Sequence, residues 1–249
     1  MDNGAMERDW DARARQDAKG TLPVRNIKEK RSLQKAPGKF REFCDSFFQR
    51  EGFQSAGKRM LDIGCGIGRM ERGFAEMFGE VWGLDVSGEM IAQAKELNRQ
   101  FEKIKFVKGS GQDLSIFTGE YFDFVFSYIT LQHIPDKKII FNYLSEIYRV
   151  LKPGGLYKVL IRKEWAGFTF LFGFIPVPRF LFRYIPESVW SIYDRLAYRN
   201  DKVPCRGRTY RGSGVSEKEA IQVMHSLGFA KVEIEEDPCK VSYWCYGKK

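Results

Sequence analysis

Short apolar runs alternate with longer amphipathic segments along most of the chain. The apolar runs have the length and composition of buried strands, and they lie at 58–63, 80–85, 104–109, 121–129 and 156–162. The segments between them have helical periodicity, at 68–78, 87–101 and 136–151. This alternation predicts an α/β fold in which helices cover both faces of a parallel sheet.

The two ends of the chain extend this pattern. Residues 6–19 predict a polar helix with Trp10 as its one large apolar residue, and residues 39–51 carry phenylalanines at helical spacing. Toward the other end, a helix and two strands are predicted at 216–229, 230–236 and 240–247. We therefore expect helical structure before the alternating region and additional sheet after it.

Residues 163–213 interrupt the alternation with aromatic residues, prolines and arginines. These aromatic side chains either cap an apolar or aromatic ligand or simply cover the core, and their mixture with basic residues also suits shallow contact with a membrane surface. Arg179 and Arg183 are candidates for holding an anionic group of a substrate. The uncharged run at 165–178 is too short to span a bilayer, which requires about 20 residues.

The most informative stretch is RMLDIGCGIGRM at 59–70, where a strand leads into a glycine-rich turn. Three glycines stand at alternate positions, Gly64, Gly66 and Gly68. Glycine allows positive φ and has no Cβ, so a ligand can lie directly against the backbone of such a turn. Asp85 ends the second strand, where a carboxylate suits the two hydroxyls of a ribose.

The spacing of the glycines bears on the identity of the ribose-bearing cofactor. Dinucleotides are bound by G-x-G-x-x-G, whereas this chain has G-x-G-x-G and carries Arg69 at the sixth position. Asp62, just before the turn, would repel a pyrophosphate and suits a cationic group instead. S-adenosylmethionine joins an adenosine ribose to an ammonium-bearing amino acid, and it is therefore the predicted cofactor, with S-adenosylhomocysteine as its product.

Five motifs in order carry a resemblance to a known family over residues 55–162. They read LDIGCGIGRM, GLDVS, GSGQDLS, YFDFVFSYITLQHI and LKPGG. In this order and spacing they resemble the class I S-adenosylmethionine-dependent methyltransferases, of the type that acts on small molecules. The resemblance implies a Rossmann-like, seven-stranded, mostly parallel sheet with an antiparallel last strand, helices on both faces and a helical cap insertion.

The resemblance also implies a division of the chain. Residues 1–54 would form an N-terminal helical lid segment that closes over the cofactor, as similar segments do in the family. Residues 55–249 would form the methyltransferase domain, with 163–213 inserted as a substrate cap.

The same resemblance implies contacts with the cofactor. The implied binding residues are Asp62, Gly64, Cys65, Gly66, Gly68, Asp85, Val86, Met90, Gly111, Gln112, Asp113 and Ser127. The family often has an acid where Ser110 stands, and Asp113 either replaces that acid or caps a turn. Met90 is either near the adenine or plain core, and Cys65 is either a cofactor neighbour or a small packing residue.

The methyl acceptor is less well specified. Methyltransferases that act on nitrogen in bases or amides often carry N/D-P-P-Y after the fourth strand, whereas residues 127–130 read SYIT, which favours an oxygen or carbon acceptor. His133 follows that strand and is either a general base or a structural residue. Tyr128 is a second catalytic candidate, and Gln132 is expected to border the acceptor.

The formal net charge of +9 suits anionic partners, although scattered charges also serve solubility alone. RNA methylation is therefore one alternative to a small-molecule acceptor, but the sequence shows no appended RNA-binding module. A non-catalytic cofactor-binding protein is another. No cluster of metal ligands is visible, and the densely charged first residues do not look like a secretory signal. Five cysteines without a C-x-x-C pair are consistent with a reducing cytoplasm, which is the expected location.

Overall fold

The structure is a computed structural model that describes residues 4–17, 36–164, 168–171, 175–178, 212–238 and 240–249. Its strands are β1 Arg59–Ile63, β2 Glu80–Asp85, β3 Ile104–Lys108, β4 Phe122–Ser127, β5 Leu151–Arg162, β6 Phe168–Leu171, β7 Ile175–Pro178, β8 Lys231–Glu236 and β9 Ser242–Lys248. Its helices are α1 Ala5–Asp17, α2 Ala36–Arg50, α3 Glu71–Met77, α4 Gly88–Leu97, α5 Lys137–Val150 and α6 Glu217–Leu227, with a 3-10 turn at Leu131–His133.

Seven of these strands form one sheet, in the order β3-β2-β1-β4-β5-β9-β8. The strands β1 to β5 run parallel, and β9 is antiparallel to both β5 and β8. The predicted mostly parallel sheet is therefore confirmed, including the antiparallel last strand. The chain places β2 on one side of β1 and β4 on the other, so the strand order reverses beside β1, where open α/β sheets bind ligands.

The core lies on both faces of the sheet, as the apolar runs predicted. On one face, α2 and α3 cover a cluster of aromatic residues in which the rings of Phe78 and Phe124 stack at 5.8 Å. On the other face, α5 and α6 bury aliphatic residues such as Ile147 and Met224. Because β4 is buried between these layers, its carboxyl end is held firmly where the next loop begins.

The region of LKPGG differs in detail from the expectation. The pattern predicts a turn before the fifth strand, but β5 already begins at Leu151, which pairs with Phe122. The register then shifts between Phe122 and Phe124, and Gly154 has φ +76°. The glycine absorbs the irregularity within the strand, so the chain joins the sheet directly after α5.

The predicted helical cap also differs from the structure where its residues are described. Within 163–213, β6 and β7 pair as an antiparallel two-stranded sheet. The sequences FTFL and IPVP explain this, since Thr and Val favour strands and two prolines exclude a helix interior. Whether 163–213 caps a substrate stays a prediction. In the described part of the chain, every helix is too short or too polar to cross a membrane.

The start of α6 provides a test of the local sequence signals. Ser216 Oγ accepts a hydrogen bond from the Glu219 N–H, and Glu219 Oε2 accepts one from the Ser216 N–H at 3.1 Å, which forms a capping box. We expect Ser216→Ala to lower the free energy of unfolding by about 1 kcal/mol, because this cap is lost. Urea denaturation measures the change.

Ser226 near the other end of α6 is the matched control. Its hydroxyl donates to the Val223 carbonyl on an exposed part of the helix. We expect Ser226→Ala to change stability by less than about 0.5 kcal/mol. Equal effects of the two substitutions would show that the capping box contributes nothing specific.

Candidate active site

A cavity of about 310 Å³ opens at the carboxyl ends of β1, β2 and β4. Small-molecule sites start at about 300 Å³, so this volume suits a ligand of modest size. Its walls come from the glycine turn, the end of β2, the loop after β4 and helix α1. The predicted site residues on these walls are Gly64, Gly66, Asp85, Val86, Met90, Gly111, Tyr128, Gln132 and His133.

The glycine turn brings the backbone to the cavity wall. Gly64, Gly66 and Gly68 have φ of +85°, +55° and +73°, and the N–H of Gly64 donates to the Leu84 carbonyl at 2.7 Å. A Cβ on Gly64 would overlap the Thr130 side chain, whereas a Cβ on Gly66 would meet no atom within 4 Å. The absence of a side chain at Gly64 therefore allows Thr130 to pack against the turn, whereas the absence of a side chain at Gly66 leaves that part of the cavity open.

Asp85 stands at the end of β2 with both carboxylate oxygens engaged. Oδ2 accepts from the Gly66 N–H at 3.0 Å and Oδ1 from the Ser87 N–H at 2.9 Å. Burial raises the pKa of Asp85, although these two N–H groups act in the opposite direction. A carboxylate has about four lone-pair positions, so acceptor capacity remains for two hydroxyl groups.

Two further carboxyls, Asp62 and Glu71, are buried close to each other and do not line the cavity. Burial raises the pKa of Asp62 to about 7. It also raises the pKa of Glu71 well above its ordinary value, with a contribution from the Asp62 charge. The protonated Glu71 carboxyl contacts Asp62, but within the described chain neither Glu71 oxygen reaches the geometry of a full hydrogen bond. This pair therefore changes its charge near neutral pH.

The predicted adenine loop has one residue on the cavity wall and two that point elsewhere. Gly111, with φ +77°, lines the cavity. Asp113 Oδ1 accepts from the hydroxyls of Ser110 and Ser115 at 3.0 and 2.7 Å, so its carboxylate closes a turn. The Gln112 carbonyl accepts from the Asn142 side chain at 2.8 Å. The structure thus places Asp113 as the turn-capping alternative describes.

Three other predicted cofactor residues have packing contacts outside the cavity wall. Ser127 is fully buried and donates its hydroxyl to the Ile63 carbonyl at 3.0 Å, which joins the ends of β4 and β1. Gly68 faces Phe106, which a Cβ would approach to 2.5 Å. Burial raises the pKa of Cys65 well above its ordinary value, so its thiol is neutral. Cofactor contact through these three residues stays a prediction.

Helix α1 covers the cavity and is docked on the start of α4. Met6 and Trp10 line the cavity. Asp11 Oδ1 accepts from the Ser87 hydroxyl at 2.6 Å and from the Glu89 N–H at 3.1 Å. Burial alone would raise the pKa of Asp11, but these hydrogen bonds and nearby cations lower it overall. Asp11 is therefore an ionised anchor at a helix N-terminus.

His133 ends the 3-10 turn after β4 and lines the cavity beside Trp10. The two rings lie edge to face, with centroids 5.3 Å apart. Gln132 Nε2 lies 3.4 Å from His133 Nε2, while Gln132 Oε1 accepts from the Ser242 hydroxyl at 3.5 Å. An amide nitrogen only donates, so this assignment of the amide requires a neutral imidazole with its proton on Nδ1.

The neighbouring loop residues complete this wall. Tyr128 stacks on Trp244, with ring centroids 5.6 Å apart and planes 12° apart. Ile129 has φ +58°, a conformation that is rare for a β-branched residue and that redirects the chain over the cavity. Its strain is held by Thr130, which packs against Gly64.

The cavity also contains residues that the sequence analysis did not assign to the site. These are Met6, Ile63, Ile67, Arg69, Leu84, Ile129, Thr130, Ile134, Tyr143 and Arg162. The signal for Arg69 was its position directly after the glycine turn, and that for Arg162 was the end of a central strand. Arg179 and Arg183 lie outside the described residues. Among those described, no group of three His, Cys, Asp or Glu side chains could hold a metal ion.

The buried acid pair generates a prediction about pH. The pKa of Asp62 rises from an ordinary 3.8 to about 7 on folding, so between these values the unfolded chain has released a proton that the folded protein retains. The free energy of unfolding should therefore be greatest below pH 4 in this respect and fall as pH rises to about 7, by up to roughly 1.4 kcal/mol per pH unit. Asp62→Asn should reduce this slope, and the part that remains belongs to Glu71, whose pKa is also raised.

The measurement is urea denaturation at several pH values, with Asp123→Asn as the control. Asp123 lies on β4 and pairs with Lys152 at 2.9 Å, away from the glycine turn. We expect this control to keep the wild-type slope between pH 4 and pH 7. An Asp62→Asn protein with an unchanged slope would show that Asp62 is already ionised in the folded protein.

Comparison with known proteins shows which family part of this chain matches. Residues 61–159 match the family described as methyltransferase domain. The phosphoethanolamine N-methyltransferase 2 of Caenorhabditis elegans is 42% identical over 136 residues, which cover 53% of this chain and 30% of that protein. A demethylmenaquinone methyltransferase of Geobacillus sp. (strain WCH70) is 28% identical over 184 residues, which cover 72% of this chain and 74% of that protein.

Solved structures agree with these relatives. The phosphoethanolamine N-methyltransferase 2 of Haemonchus contortus, in complex with phosphomonomethylethanolamine and S-adenosylhomocysteine, superposes with a TM-score of 0.51 and 28% identity over 76% of this chain and 37% of that one. An S-adenosylmethionine-dependent methyltransferase of Mesorhizobium loti has a TM-score of 0.58 at 18% identity, over 82% of this chain and 96% of that one, and supports the fold alone. The chain thus spans only about a third of the phosphoethanolamine enzymes.

The cavity fits the cofactor of these methyltransferases. Gly66 leaves open space where a side chain would otherwise stand, Asp85 retains capacity for ribose hydroxyls, and Val86 and Met90 supply an apolar wall. Two structures of the Haemonchus contortus enzyme contain S-adenosylhomocysteine and S-adenosyl-L-methionine, respectively. Residues 61–159 accordingly form a methyltransferase domain with the fold of the class I S-adenosylmethionine-dependent methyltransferases, whose cofactor is S-adenosylmethionine.

Proposed function

We propose that this protein transfers the methyl group of S-adenosylmethionine to a small-molecule acceptor. The observation that carries the proposal is that one cavity is lined by both Asp85, the candidate acceptor for the ribose hydroxyls, and His133, the candidate base. A cofactor and an acceptor held in the same cavity would meet without leaving it. The relatives named above act on small molecules, which favours such an acceptor over RNA.

In this proposal the glycine turn and the end of β2 bind the cofactor. Gly64 and Gly66 lie against its methionine part, and Asp85 accepts hydrogen bonds from the ribose hydroxyls. The apolar side chains of Met6, Val86 and Met90 pack around the adenine. Asp62 acts from beneath the turn, where its charge favours the ammonium group of the methionine part.

Methyl transfer requires the protein to align the acceptor with the methyl group, to exclude water and to remove a proton from the acceptor. When bound, S-adenosylmethionine supplies an activated methyl group whose departure leaves a neutral thioether. Helix α1 covers the cavity and keeps water away, and Trp10 holds the His133 ring in place. The neutral His133 imidazole has its lone pair on Nε2, and this nitrogen gives up its 3.4 Å contact with Gln132 Nε2 when it takes the proton that the acceptor loses.

Residues 163–213 are proposed to cap the acceptor end of the cavity. Both of their ends lie beside the loop that carries His133. At one end, Arg162 lines the cavity directly before the segment. At the other end, the Ser213 N–H donates to the Ile134 carbonyl at 2.7 Å, and its hydroxyl donates to the Pro135 carbonyl at 2.7 Å. The segment thus leaves and rejoins the fold at the mouth of the cavity.

The sequence of the loop after β4 is the basis for proposing which type of acceptor atom receives the methyl group. The sequence SYIT at 127–130 lacks the N/D-P-P-Y pattern of many nitrogen methyltransferases and favours oxygen or carbon. One relative, however, is named as an N-methyltransferase acting on phosphoethanolamine, and another acts on demethylmenaquinone. A primary amine is therefore the alternative, and an acceptor panel should include phosphoethanolamine and a quinol.

The placement of the ribose can be tested by Asp85→Ala. We expect this variant to lose about 1–3 kcal/mol of binding free energy for S-adenosylhomocysteine, because two hydroxyls lose their buried acceptor. Isothermal titration calorimetry measures the loss. Asp123→Ala, which removes a carboxylate from the opposite end of the parallel strands, should bind like the wild type. Unchanged affinity in a folded Asp85→Ala protein would contradict the placement.

The variant His133→Asn distinguishes a general base from a residue with only a structural role. We expect His133→Asn to lower turnover by about 100-fold or more, because the acceptor proton loses its base, while affinity for S-adenosylhomocysteine stays within about twofold. The assay measures transfer of labelled methyl groups to the acceptor panel between pH 6 and pH 9. His225→Asn alters the other histidine of the chain, on α6, and should retain wild-type turnover. Normal turnover of the His133 variant across this range would assign His133 a structural role.

A further inference from the structure

Acidic groups surround the glycine turn. Asp62 and Glu71 are buried near it, and Asp85 contacts the Gly66 N–H. After burial itself, these three carboxyls are the groups that raise the pKa of the Cys65 thiol within the turn. The turn therefore favours cations over anions, which suits the ammonium group of a bound methionine and opposes its carboxylate.

A carboxylate bound at this turn needs a compensating cation, and Arg69 is placed to supply it. Arg69 follows Gly68 directly and lines the cavity together with Gly64, Gly66 and Ile67. Its guanidinium is charged at every physiological pH and matches the two oxygens of a carboxylate in a bidentate arrangement. The other arginine that lines the cavity among the described residues, Arg162, ends β5, and β4 separates that strand from β1.

We propose that Arg69 binds the α-carboxylate of the methionine part of S-adenosylmethionine. In this placement the buried Asp62 attracts the ammonium group from beneath the turn and Arg69 binds the carboxylate from the cavity wall, so the site is complementary to both charges of a zwitterion. Arg162 lies toward the acceptor end and takes no part in this contact. The inference rests on the cofactor placement used in the proposed function, but it concerns only the amino-acid half of the cofactor.

Two ligands that differ only in this half provide the test. S-adenosylhomocysteine carries the amino acid, whereas 5′-methylthioadenosine has the same adenosine and thioether without it. We expect Arg69→Gln to weaken binding of S-adenosylhomocysteine at least about tenfold and to leave binding of 5′-methylthioadenosine within about twofold. Arg69→Lys, which keeps the charge but loses the bidentate geometry, should give an intermediate affinity. Calorimetric titration with each ligand gives the dissociation constants.

Arg162→Gln is the matched control, because it removes an arginine from the same cavity, and its affinity for S-adenosylhomocysteine should stay within about twofold of wild type. Equal weakening of both ligands by Arg69→Gln would overturn the proposal, since it would indicate a disturbed pocket. Unchanged binding of S-adenosylhomocysteine by that variant, or a selective loss in Arg162→Gln instead, would also overturn it. A wild-type protein that binds neither ligand would contradict the proposed function itself, which distinguishes the two failures.

Discussion

The close approach between the turn after β1 and the loop after β4 is the constraint on which the rest of the cavity depends. Ser127 joins the two strand ends through the Ile63 carbonyl, and Thr130 packs where a side chain on Gly64 would stand. Between these two contacts Ile129 has a left-handed conformation, and His133 lines the cavity four residues later. The glycine at 64 thus leaves room for a loop that is far along the sequence and that carries part of the cavity wall.

A second set of contacts links the cofactor end of the cavity to helix α1. The Ser87 N–H donates to Asp85, and the Ser87 hydroxyl donates to Asp11. One buried serine therefore touches both the proposed ribose acceptor and the anchor of the covering helix. Because the two carboxylates accept from different groups of the same residue, we expect binding at Asp85 and docking of α1 to be energetically coupled.

The sequence predicted the sheet well, because strands buried on both faces are recorded as continuous apolar runs. It also pointed to Asp85, Gly64 and Gly66, which line the cavity because their place at the ends of β1 and β2 follows from local spacing. It could not place Met6 or Arg162, which reach the cavity only through the packing of α1 and the strand order. Asp113 shows a different limit, because the sequence left open whether it contacts the cofactor or caps a turn, and only the structure shows its carboxylate accepting hydrogen bonds within the turn.

The division of the cavity between segments has a consequence for how such enzymes diversify. The residues that match the methyltransferase family, 61–159, contain the glycine turn, Asp85 and His133. Trp10 and Arg162, which also line the cavity, lie outside that range. In the proposed function Arg162 and residues 163–213 lie at the acceptor end, so mutations there would change which acceptor is admitted while the glycine turn and Asp85 are left intact. New specificities would then arise in this architecture with the same methyl donor.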